Sequence, residues 1–250
     1  MSLPLCTTEL GRDWIDGGTL CRFRCNPPGP IGCDADAEAA PMDGDTPNRK
    51  PASRGANPPP VTQTSRSTVK KEASAGVDID VAVEVVADVV ADATVSAGTA
   101  VTSFQNGVRF VTPATEWVNR DGKKIVSKLT SPFSLKGIIS VQTRYGRGAM
   151  AHQPSAYGRG TTDEDTKVGN TTLGFHESCH RADFLAYLAA NLLPTFEGKA
   201  GKTTDEYERS VKALKTRLND YFAEMEKQSD SNTDEVGYKK SEFEKFGPTH

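Results

Sequence analysis

From Asn26 to about Lys71 the chain is rich in Pro, Ser, Thr, Asn and Ala, includes Pro58-Pro59-Pro60, and has hardly any large apolar residue. Such a stretch cannot bury enough surface to offset the entropy of ordering it, so it reads as a disordered linker. Any packed core is thereby confined to the C-terminal two-thirds of the chain. The resulting division is a cysteine-containing leader or docking segment over 1–35, a linker over 36–75 and a folded domain over 76–250. The cysteines Cys6, Cys21, Cys25 and Cys33 fall in the leader and Cys179 stands alone. Two disulfides, a zinc site or free thiols all fit the leader's spacing, which leaves its redox state open.

Charge and hydropathy remove several function classes. Thirty basic against 33 acidic residues leave no electrostatic footprint for nucleic acid. No run of about eighteen apolar residues exists, so no transmembrane segment is expected. Met1 to Gly18 lacks a basic and then apolar N-terminal pattern and contains Glu9, Asp13 and Asp16. The expectation is therefore synthesis in the cytoplasm without a cleavable signal peptide, and export, where it occurs, by a signal-independent route.

Periodicity divides the domain into a β part and an α part. In the valine-rich run after Val77, the residues Val85, Val86, Val89, Val90 and Ala93 share one helical face, which predicts a helix from about Asp80. Residues 100–148 read as strands. Asn106-Gly107 marks one hairpin and Arg120-Asp121-Gly122 a second, and Gly137 to Tyr145 is a third apolar run. Next comes a flexible stretch carrying the text YGRG twice, at Tyr145 and Tyr157. Leu173 to Asn191 is a helix. A second helix runs from Thr203 to about Gln228, opened by the capping box Thr203 to Glu206 and striped by Tyr207, Val211, Leu214, Leu218, Tyr221 and Met225. A short connection makes the two helices an antiparallel pair. The fold class is α+β: a small β-sheet followed by an active-site helix and a second antiparallel helix.

His176-Glu177-Ser178-Cys179-His180 is an HExxH motif in the first turns of the first helix. Positions i and i+4 project from one face, so both imidazoles can reach one metal ion. Glu177 is turned from direct ligation but can hold a water on the ion's open side and act as general base. With only four histidines in the chain, a chance match is expected on the order of 0.005 times. Asp183 lies on the histidine face, placed to orient one ring by a hydrogen bond. Cys179 points off that face and reads as a small core residue.

On these five residues the chain resembles the zincin metallopeptidases. The resemblance implies a zinc ion (Zn2+) held by His176 and His180, with Glu177 catalytic, and a β-sheet ahead of the helix. It also implies an edge strand, here Gly137 to Tyr145, that pairs with an extended peptide substrate. The metzincin extension is missing, since Asp183 and Ala186 stand where it has glycine and histidine. The downstream texts of the thermolysin and aspzincin groups are missing too. The nearest likeness is to loosely defined bacterial HExxH effector and toxin domains.

The third ligand is argued from the antiparallel pair, which sets the C-terminal end of the second helix opposite the histidines. That favours Asp220 and Glu224 over Asp205 and Glu206, and Glu224 is preferred. His250, Asp183 and Asp220 stay open as alternatives. Tyr221, Tyr238 and Arg144 are candidate oxyanion donors. The function expected is a zinc-dependent metallopeptidase acting on a protein or peptide, laid out like a delivered effector with delivery machinery or a cognate inhibitor as partners. The alternative is a non-enzymatic adaptor of a secretion or phage-like assembly with a structural zinc. The substrate and oligomeric state are not written in the sequence.

Overall fold

The computed structural model describes residues 58–247 apart from residue 75. In chain order the elements are β1 (Ser65–Ser74), β2 (Val77–Val85), β3 (Val89–Asp92), β4 (Ala100–Asn106), β5 (Arg109–Val111), β6 (Thr115–Arg120), β7 (Lys123–Leu129), β8 (Phe133–Gly146), α1 (Asp163–Val168), α2 (Leu173–Ala190), α3 (Thr204–Thr233) and α4 (Lys240–Phe246). This is an α+β architecture. Ser65–Ser74 lies inside the stretch whose composition predicts a linker, yet it pairs along its length with β2. The leader cysteines and His250 lie outside the described residues.

β8 is the spine of the main sheet. On one side it pairs in parallel with β2 and, further along, with β3; on the other it pairs antiparallel with β4 and β5. Gly137 to Tyr145 is thus the sheet's centre and not the edge strand expected. The reason is visible in its burial, since Phe133, Leu135, Ile139, Val141, Thr143 and Tyr145 are all buried on one face. Such alternation marks a strand with helices over one side.

The valine-rich run is two strands, not a helix. Ile79, Val81, Val83 and Val85 are buried at a period of two, whereas Val90 is 74% exposed, a position that a helical stripe would have put in the core. Branched Val side chains pack on the pleated surface between β1 and β8, and that tertiary setting decides a pattern the sequence leaves ambiguous. Asn106-Gly107 likewise forms no hairpin: β4 and β5 both pair with β8, and the turn is a break between them. There the backbones approach closely, and a Cβ on Gly137 would lie 2.4 Å from the Gly107 carbonyl oxygen. The hairpin at Arg120-Asp121-Gly122 is present, joining β6 and β7 through positive φ at Asp121 (51°) and Gly122 (72°).

α2 and α3 cover one face of the sheet. Phe184, Leu185 and Leu188 from α2 meet Leu214, Leu218, Tyr221, Phe222 and Met225 from α3 over the β2 and β8 side chains. The capping box is complete in both directions, between Thr203 and Glu206. The two helices are antiparallel, with Tyr221 bonded to the Asn191 carbonyl at one end and Ser229 to His180 at the other. α3 extends to Thr233, five residues beyond the end read from its apolar stripe.

Candidate metal centre

α2 starts where its sequence provides a cap. Thr172 accepts the Phe175 N–H, and the next orphan amides, Leu173 and Gly174, donate to the Gln153 and Ala151 carbonyls. The helix is then pinned to the sheet beneath. Thr102 Oγ1 donates to the Glu177 carbonyl at 3.1 Å and shares a 2.7 Å bond with Thr143. Arg181 reaches Thr143 at 2.6 Å and Asp88 at 2.9 Å. Burial raises the Asp88 carboxyl, and the Arg181 charge only partly offsets it. The four groups fix both the height and the rotation of the motif above the sheet.

His176 and His180 meet over the C-terminal end of α3, and the acid between them is Asp234, the residue capping that helix. Its Oδ1 lies 3.2 Å from His176 Nε2 and 3.0 Å from His180 Nε2. Each outer nitrogen has its own partner, with His176 Nδ1 donating to the Arg159 carbonyl at 3.1 Å and His180 Nδ1 bonding Ser229 Oγ at 2.8 Å. Because a carbonyl only accepts, His176 carries a proton on Nδ1 and turns Nε2 toward the carboxylate. A nitrogen lone pair and a carboxylate oxygen facing each other are two acceptors, and a proton or a metal ion must lie between them.

These three residues form a buried group able to hold a metal ion. Zinc bonds of about 2.0–2.1 Å in a tetrahedron put neighbouring ligand atoms about 3.3 Å apart. The two carboxylate-to-imidazole distances, 3.0 and 3.2 Å, are close to that spacing, and all three ligand atoms lie within 4.8 Å of one another. Burial works to raise the Asp234 carboxyl, but the two imidazoles and the Lys240 ammonium around it hold it well below the usual range. In His180 burial works to lower the imidazole, and Asp234, Glu177 and Asp183 outweigh it.

Glu177 is 3% exposed, and its Oε2 has no hydrogen-bond partner among the described residues. A buried carboxylate oxygen left unpaired costs free energy unless something binds it, and such groups concentrate at working sites.

The remaining candidates fall elsewhere. Glu224 is on the solvent face of α3 with Lys227 at 3.7 Å, and Asp220 is exposed too. The acid that faces the two histidines is Asp234, not Glu224. Asp183 accepts from Thr233 Oγ1 and Asn232 Nδ2, tying α3 to α2 and touching no histidine nitrogen. Tyr221 donates to the Asn191 carbonyl, Tyr238 to the Gly247 carbonyl, and Arg144 to Thr94 and Ser103, so each has a partner of its own outside the metal group. Cys179 is outside the metal group, and burial pushes its thiol up to about 12.

The second YGRG copy is the part of the site that periodicity does not find. The Tyr157 ring stands edge-on to His176 at 5.2 Å, and Arg159 supplies the carbonyl that orients that histidine. Burial and the Asp234 charge push the Tyr157 hydroxyl up to about 12. The only hint in the sequence is the pair of small glycines beside a tyrosine. No family model, curated protein or solved structure matches this chain.

Proposed function

We propose that the chain is a zinc-dependent hydrolase of peptide bonds, with His176, His180 and Asp234 as ligands and Glu177 as general base. The observation that carries the reading is the unpartnered Glu177 carboxylate beside a three-ligand group, on a helix with HExxH spacing. Three protein ligands leave a fourth position open, as catalytic zinc sites do. Bound there, zinc supplies Lewis acidity, acidifying water and polarising a carbonyl.

The chain's own residues then divide the work. Arg159 and Ser229 hold the two imidazoles in their ligand orientation. Thr102 and Arg181 hold the backbone of α2, and with it the height of Glu177. Glu177 positions the attacking water, takes its proton and passes it to the leaving amine.

Glu177→Gln keeps the shape and removes the base. It should retain one zinc per chain and lose cleavage of a mixed-sequence peptide library by several orders of magnitude. A fully active variant would end the hydrolase reading. Metal analysis of the same samples separates zinc from iron, which two histidines and one carboxylate also suit. Zinc bound with no cleavage by the unaltered chain would leave the structural-zinc adaptor in front.

A further inference from the structure

The ligands and base are nearly sealed: His176 and Asp234 are 2% exposed, Glu177 3% and His180 8%. A hydrolase of peptides needs a way in, and the cover over the site has two layers. The inner layer is Tyr157–Arg159, held by the Arg159 N–H on the Thr233 carbonyl at 2.7 Å. The outer layer is residues 235–247. There the Lys240 ammonium lies 2.8 Å from Asp234 Oδ2, the Phe243 ring packs on Tyr157 at 5.5 Å, and the Tyr238 N–H donates to Thr161 Oγ1 at 2.8 Å.

No side chain of 235–247 is buried, and α4 adds nothing to either apolar cluster. The segment is thus held by a few polar and edge contacts around the metal group, not by the core. Elements attached in this way open at a small fraction of the global stability.

We infer that Glu235–Gly247 is a latch closing the metal centre, with Lys240 as its catch on the third ligand and Phe243 as its seat on Tyr157. The latch rests on the proposed metal site. Release of the catch, with the Gly158 N–H bond to the Tyr238 carbonyl and the Lys240 N–H bond to the Asp234 carbonyl that go with it, exposes Tyr157 and the site beneath.

The test is the rate at which zinc leaves the full-length chain, loaded to one equivalent, for the chromophoric chelator 4-(2-pyridylazo)resorcinol. Lys240→Met and the double variant Lys240→Met/Phe243→Ala should release zinc at least tenfold faster at unchanged stoichiometry, while Lys240→Arg stays near the parent rate. Thermal unfolding checks that each variant is folded, and the single variant carries the comparison if the double one is not. Equal release rates overturn the latch and leave the metal site standing. Loss of zinc from a folded variant also overturns it, since the segment would then be part of the site's framework. An unaltered chain that binds no zinc overturns the site and the latch together.

Discussion

Asp234 Oδ1 stands 3.0 Å from His180 Nε2 although 54 residues separate the two in the chain. The relationship exists because α3, 30 residues long against 18 for α2, runs antiparallel to it and brings its capping residue Asp234 to the motif. Asp234→Ala should therefore abolish tight zinc binding, while Glu224→Ala should bind like the unaltered chain. Equilibrium dialysis against buffered zinc decides it, and the reverse result would return the third ligand to the middle of α3.

His180 has its outer nitrogen on Ser229, which is fully buried in the last turns of α3. Removing a partner of this kind loosens ring orientation and lowers ligand basicity, at a typical cost of about 10–100-fold in metal affinity. Ser229→Ala should show a loss in that range with little change in fold. Ser210→Ala, on the same helix but bonded only to the Glu206 carbonyl, should show none. Competition titration with a zinc dye measures both.

The antiparallel pairing of α2 and α3 was legible in the sequence, but the acid that meets the two histidines, Asp234, lies ten residues beyond the Glu224 it pointed to, for a physical reason. The buried stripe of α3 runs through Leu214, Leu218, Tyr221 and Met225 and then continues as Ser229 and Thr233, both fully buried. Those two are polar because they bond His180 and Asp183, so the apolar period stops before the helix does. The HExxH helix, the capping box and the Asp121-Gly122 hairpin were legible because each is local. The valine strands and the central place of β8 were not, because pairing partners decide them and a window of valines fits either period. Tyr157 and Arg159 carry no chemistry-bearing pattern and become part of the site only through packing.

Asp165 links the site's loop to pH. Burial works to raise its carboxyl, but the Arg159 guanidinium, the Gly160 N–H and the Thr162 hydroxyl together hold it below the ordinary value. A depressed carboxyl stabilises the fold fully above its unfolded pKa of about 3.9, and that contribution is lost as pH falls through the folded value. Asp165→Asn should cost roughly 1–3 kcal/mol at neutral pH, discounted for the partly exposed arginine. The gap between the two proteins should hold down to about pH 5 and narrow below about pH 4. Urea unfolding across that range is the measurement, and a gap that widened on acidification would contradict the sign.

Gly158 is where the inner cover presses on His176 and on the end of α3. Its φ is +65°, and a Cβ there would lie 2.1 Å from the Thr233 carbonyl oxygen and 2.8 Å from His176 Cε1. Gly148 has a similar φ of +79° with nothing within 4 Å, so it isolates the conformational part of the cost. Gly148→Ala should lose about 1 kcal/mol and bind zinc normally. Gly158→Ala adds overlap with backbone that cannot yield, for a total of roughly 2–4 kcal/mol, and pushes His176 off its carbonyl partner. Its zinc affinity should fall with its stability. The pairing of those two losses is the test, because a loop that merely passed near the site would lose stability alone. Equal behaviour of the two alanine variants would mean that Tyr157–Arg159 does not bear on His176 at all.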